Sequence, residues 1–169
     1  MKKIGLLILL LFTMLFVSCE NDNKMENVSS TAEEMGEVLF HAIVNEDATV
    51  IKKYLATNSD IEERLAKSSL SEKKKKKKKE KYEKRISSLK KGIAKSLSSI
   101  KAEEVKWDEA NYDWIDYKNF EKDSVTGADI TIVFSVDKEQ YEIKLKECIP
   151  TERGWVLFNK ITFKGKRNK

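Results

Sequence analysis

Apolar residues recur along this chain with two different periods, and the change of period divides it. Met35, Val38, Leu39, Ala42 and Ile43 follow the i, i+3, i+4, i+7, i+8 stripe of a helix with one buried face. Thr31 with Glu34 three residues on has capping-box spacing, so a helix is predicted over residues 31–46. A second, short helix is expected from Asp47, an N-cap type, with Val50, Ile51, Tyr54 and Leu55 on one side. Ser59 and Glu62 repeat the capping-box spacing around Ile61 and Leu65 and predict a third helical piece. The longest stripe is Tyr82, Ile86, Leu89, Ile93, Leu97 and Ile100, with a mean spacing of about 3.6 residues, which predicts a long helix with one continuous apolar face.

Further on the period shortens to two. Ile130, Ile132, Phe134 and Val136 alternate with polar or smaller residues, as do Tyr141, Ile143 and Leu145, and then Trp155, Leu157, Ile161 and Phe163 after Gly154. These predict three successive strands. Val156 and Phe158 add apolar side chains on the opposite face of the last one. A weaker strand runs from Tyr112 through Trp114 and Ile115 to Phe120 and ends in a turn at DSVTGAD, residues 123–129. Pro150, the sole proline, is placed between strands, where a missing N–H costs least. Helices followed by a meander of about four strands make an α+β fold. The two segments AEEMGEVLFHAIVNEDATVIKKYL and ADITIVFSVDKEQYEIKLKECIPTERGWVLFNKITF together resemble the small cystatin-like and NTF2-like folds. That resemblance implies N-terminal helices packed on a curved antiparallel sheet of about four strands.

The N-terminus has a different character. Met1, Lys2 and Lys3 precede 14 apolar-rich residues, Ile4 to Val17. A helix of that length spans about 21 Å, short of the ~30 Å hydrocarbon core. A positive tip, a short apolar run and a small residue before the break mark a secretory signal peptide over residues 1–18. Phe16-Val17-Ser18-Cys19 resembles the bacterial lipoprotein box, with Phe16 where that family usually has Leu. The resemblance implies cleavage before Cys19, a diacylglyceryl thioether on its sulfur, and a membrane-tethered mature protein. Glu20-Asn21-Asp22-Asn23-Lys24 is similar to the surface-export signals of Bacteroidetes lipoproteins. The implied address is the cell envelope, periplasmic or on the outer-membrane surface. An ordinary secreted protein and an uncleaved single anchor are the alternatives. Residues 19–30 hold little to bury beyond Met25 and Val28 and read as a flexible tether. Residues 31–169 then form one domain.

Charge sharpens this picture. Residues 71–101 hold 14 basic and 3 acidic residues, so the rest of the mature chain is net acidic. Lys73, Lys74, Lys75, Lys76, Lys77, Lys78 and Lys79 are consecutive. Like-charged i, i+4 pairs each cost roughly 0.2–0.5 kcal/mol, so the arm at residues 71–85 is expected to project from the core or to fray. Lysines are point charges without a planar fork, so any contact is expected to be non-specific and salt-sensitive. At the exported address it is expected with anionic lipid or an acidic envelope partner, and not with nucleic acid. A solvated arm with no partner is the plainer alternative.

Groups for catalysis are few. His41 is the single histidine and lies off the apolar stripe of its helix. Asp113 and Asp116 are the only residues able to stand in for the acidic dyads of NTF2-like enzymes, and no motif supports the transfer. No glycine-rich phosphate loop, nucleophile elbow or metal-ligand spacing occurs, and neither cofactor nor metal is expected. Cys148, without an intrachain partner if Cys19 is acylated, reads as a buried filler. Tyr54, Trp107, Trp114, Phe134, Tyr141 and Trp155 are candidates to line a ligand pocket between sheet and helices, with ordinary core packing as the competing reading. The expected function is that of a non-enzymatic, membrane-anchored binding or accessory module. The alternatives are an NTF2-like small-molecule pocket protein and a structural protein that dimerises through its sheet.

Overall fold

The fold was read from a computed structural model, which describes residues 27–167. The expected signal peptide, Cys19 and the greater part of the 19–30 tether lie outside the described residues.

The first helix, α1 (Ala32–Val44), starts where the sequence places it. Thr31 Oγ1 accepts the Glu34 N–H at 3.1 Å, but the Glu34 carboxylate reaches one residue further back and accepts the Ser30 N–H at 2.9 Å. The chain reverses at Glu46 (φ +53°) into Asp47, whose Oδ1 accepts the N–H groups of Thr49 and Val50 at 2.9 and 3.0 Å and starts α2 (Ala48–Tyr54). α3 (Asn58–Lys67) departs from expectation. Its capping box is Thr57 with Asp60, not Ser59 with Glu62: the Asp60 N–H donates to Thr57 Oγ1 at 3.3 Å and the Thr57 N–H donates to Asp60 Oδ2 at 2.7 Å. An Asp at the third helical position has the reach to close the box, so the earlier pair wins.

α4 (Glu72–Lys101) is one continuous 30-residue helix of about 45 Å. The lysine turns are helical, so the expected fraying is not seen, while residues 72–77 stay mostly exposed. Lys75, Lys78 and Lys79 fall on the side that carries Tyr82 and Ile86; Lys78 and Lys79 find acidic partners outside the helix, Asp123 and Glu62, while Lys75 pairs within it with Glu72. The inward face of the helix is thus continued past its apolar residues by ion pairs.

The sheet is curved, open and antiparallel. Its strands are β1 (Asn111–Lys122), β2 (Val125–Val136), β3 (Glu139–Thr151), β4 (Gly154–Leu157) and β5 (Ile161–Lys166), in the order β1-β2-β3, with β4 and β5 sharing the far side of β3. The expected final strand is therefore two pieces, with Phe158 turned into the core between them. Only Asp123 and Ser124 (φ +56° and +64°) make the β1–β2 turn, and residues 125–129 of the expected turn belong to β2. Asp137 and Lys138 (φ +50° and +68°) repeat that two-residue geometry between β2 and β3. Pro150 lies inside β3 near its end, opposite Trp155.

Alternation decides the faces. Ile130, Ile132, Phe134 and Val136 meet α1 and α4 in one continuous core that also takes Ile143 and Leu145. α1 sits close against the sheet at Gly36, where a Cβ would overlap Ile115 Cγ2. At the opposite end, Arg153 in the β3–β4 turn locks three elements. Its Nε donates to Asp60 Oδ2 at 2.9 Å, its Nη1 to the Lys53 carbonyl and its Nη2 to the Leu55 carbonyl, each at 2.9 Å. The Arg153 carbonyl accepts the Val28 N–H, and the Ser29 carbonyl accepts the Trp155 N–H, both at 2.9 Å. Ser29 Oγ also bonds Tyr54 Oη at 2.7 Å. The segment expected to be free through Ser30 is thus docked from Val28 onward.

Candidate functional site

Helix α4 separates its lysines by direction. Lys75, Lys78 and Lys79 are half-buried, whereas Lys73, Lys74, Lys76 and Lys77 are exposed. At 3.6 residues per turn Lys73, Lys77, Lys81, Lys84, Lys91 and Lys95 fall within a sector about 80° wide and form a ridge about 33 Å long. All six are exposed. On the docked side, the hydrogen bond and charge of Glu62 hold the Lys79 ammonium above its ordinary pKa. The hydrogen bond from Lys78 holds the Asp123 carboxyl below its own.

Behind the ridge is a charged centre that sequence reasoning missed. The Arg64 guanidinium lies between the rings of Tyr82 and Phe158, 4.6 and 4.8 Å from their centroids, and pairs with Glu147 Oε1 at 2.9 Å. Glu147 Oε2 also accepts from Arg85 Nη1 at 2.7 Å and from Asn159 Nδ2 at 3.3 Å. Burial pushes the Tyr82 phenol up. This cluster fastens α3 and α4 to β3. Nothing local in the sequence marks it, because Arg64 and Glu147 are polar residues in otherwise amphipathic elements.

The six aromatic candidates do not come together in one place. Trp107, Phe134 and Tyr141 form one stack, with ring centroids 5.3 Å apart for Trp107 and Phe134 and 5.5 Å for Phe134 and Tyr141. Phe40, Tyr112 and Phe163 close around it, so the space between helices and sheet is filled there by side chains. Tyr54 is buried elsewhere, against Ser29. Trp155 borders a shallow apolar pocket of about 500 Å³ with Phe120, Gly127 and Pro150.

Trp114 stands on the other face of the sheet, turned away from the helices and 41% exposed. It borders an open pocket of about 660 Å³ together with Asp113, Ser135, Gln140 and Arg167. Asp113 Oδ1 accepts from Ser135 Oγ at 3.0 Å, while its Oδ2 is shielded from solvent and without a partner among the described residues. Arg167 spans the rim. It donates to Asp116 Oδ2 at 2.8 Å, pairs with Glu142 at 3.4 Å and lies 5.5 Å from the Trp114 ring, with Nη1 left unpartnered. Of the two aspartates singled out in the sequence, Asp113 lines the pocket and Asp116 holds Arg167 at its rim; Arg167 is the member that was missed. His41 is exposed on α1 beside Phe40 and far in sequence from these groups. Cys148 is fully buried, and burial pushes its thiol well above the ordinary range. Among the described residues no group of three or more His, Cys, Asp or Glu has the geometry to hold a metal ion. Comparison with protein-family models, with characterised proteins and with solved structures gave no match.

Proposed function

We propose that this protein is a lipid-anchored component of a bacterial cell envelope, tethered through Cys19, whose domain acts as a non-enzymatic binding or accessory module. The observation that carries this reading beyond the sequence is the division of α4 into a docked and a free lysine face. Two lysines are fixed by acidic partners outside the helix, and six others align outward on a rigid rod. Near an anionic surface each lysine contributes about 1 kcal/mol, decaying over a Debye length of roughly 8 Å. The lipid on Cys19 would hold the protein at the membrane, and the ridge would set which side faces anionic lipid or an acidic envelope partner.

Two measurements test it. Mass spectrometry of protein from its native host should find the chain starting at an acylated Cys19; an intact leader or a bare thiol removes the anchor. Replacing Lys73, Lys77, Lys81, Lys84, Lys91 and Lys95 by Gln should weaken binding to vesicles containing anionic lipid and flatten its salt dependence. Binding to neutral vesicles should not change. An unaltered salt profile removes the ridge from the mechanism.

A second reading, a small-molecule site, is favoured by the Trp114 pocket, where the Asp113 carboxylate and the Arg167 guanidinium lie beside an exposed indole.

A further inference from the structure

β1 is an edge strand. Among the described residues it pairs with β2 alone, so one side of a 12-residue strand keeps its backbone N–H and C=O groups without a strand partner. The two large apolar residues left exposed among the described residues, Trp114 (41%) and Tyr117 (52%), both lie on this strand. Charge is arranged on the same stretch: Asp116, which accepts from Arg167, and Lys118, which stands opposite Asp129 of β2, flank Tyr117.

We propose that the free edge of β1 pairs antiparallel with β1 of a second copy, about a two-fold axis at Tyr117. Directly opposed residues in an antiparallel pair lie on one face. With the axis at Tyr117, Trp114 faces Phe120 of the copy, Asp116 faces Lys118, and the symmetry repeats both pairs. Two aromatic pairs and two opposite-charge pairs then line the face turned away from the helices. The neighbouring in-face registers are disfavoured, because an axis at residue 116 sets Asp116 against its own copy and an axis at residue 118 does the same to Lys118. The ladder has a natural end as well. A bulge between Tyr112 and Trp114 breaks the strand before Asp113 would meet Glu121. The seven residues 114–120 that remain are an ordinary strand length. Lysines commonly protect edge strands from pairing, but here the lysine nearest the axis meets an aspartate.

Cysteine placed on the axis tests the register directly. Opposed Cα atoms in an antiparallel pair lie about 4.5–5.5 Å apart, inside the range a disulfide bridges. The full chain carrying Tyr117→Cys, in its membrane, should form a disulfide-linked dimer on mild oxidation. Lys122→Cys sits on the same edge but about 34 Å from its copy, and should give no more dimer than the parent chain. In the Tyr117→Cys background Lys118→Gln should cut the yield several-fold, and Lys118→Arg, which keeps the charge, should not. Lys118 also stands opposite Asp129 of β2, so the urea midpoints of both variants, expected to match that of Tyr117→Cys, separate loss of pairing from loss of fold. Equal yields from Tyr117→Cys and Lys122→Cys overturn the proposal, as do equal yields from Lys118→Gln and Lys118→Arg. Capture of another protein by the Tyr117→Cys variant with no self-crosslink also overturns it, assigning the edge to a different partner.

Discussion

Arg153 joins an element end to an element start: its guanidinium satisfies two carbonyls near the end of α2 and the carboxylate that caps α3. Both side chains of the Arg153–Asp60 pair are almost wholly buried. Removing one partner leaves the other as an uncompensated buried charge, at a cost of about 3–5 kcal/mol. Arg153→Met should therefore lower the urea midpoint by that equivalent, and Arg153→Met with Asp60→Asn should recover part of the loss. Cys148 behaves in the opposite way, as a small apolar filler. Because burial holds its thiol protonated, a thiol reagent followed by mass spectrometry should leave Cys148 unlabelled in the native protein and label it at the rate of unfolding. The filler role was legible in the sequence from the absence of a disulfide framework. The Arg153–Asp60 pair was not, since the two residues stand 93 positions apart and each, taken alone, is a polar residue in a turn or a first helical turn.

Between elements, the β2–β3 ladder depends on one carboxylate. Asp129 Oδ1 accepts the Glu147 N–H at 2.9 Å and Oδ2 accepts from Lys146 Nζ at 2.7 Å, where the register shifts between Ala128 and Ile130 and Glu147 takes φ +60°. Burial alone would raise the Asp129 carboxyl, but these bonds and the lysine charge outweigh it and hold it below the ordinary range. A carboxyl depressed in the native state stabilises the fold above its unfolded pKa, and that contribution disappears as pH falls through the native value. Asp129→Asn should therefore be less stable than the parent at neutral pH, and the difference in unfolding free energy should close below about pH 4. The strand periods were readable from residues 130–163, as were α1 and α2. The start of α3, the length of β2 and the division into β4 and β5 were not, because each turns on which of two adjacent polar residues finds a backbone partner. The behaviour of α4 was obscured for a related reason. Lysine repulsion is visible along the chain, whereas Asp123 and Glu62, which offset it, come from the β1–β2 turn and from α3.

For the molecule as a whole, the change from helical to strand period carried the α+β class, and a single core joins both halves. The candidate surfaces are composites. The pocket at Trp114 needs Arg167 from the last residues described, and the ridge is resolved from a run of seven lysines only once the docked face is known. The bond from the Val28 N–H to the Arg153 carbonyl has a further consequence. With an acyl chain on Cys19, nine peptide steps separate the anchor from the first docked residue, a leash that reaches at most roughly 30 Å when fully extended. Domains on so short a leash stay in a thin layer at comparable heights above the bilayer. Neighbouring molecules then search for one another across a plane instead of through a volume, which raises the local concentration at which their strand edges meet.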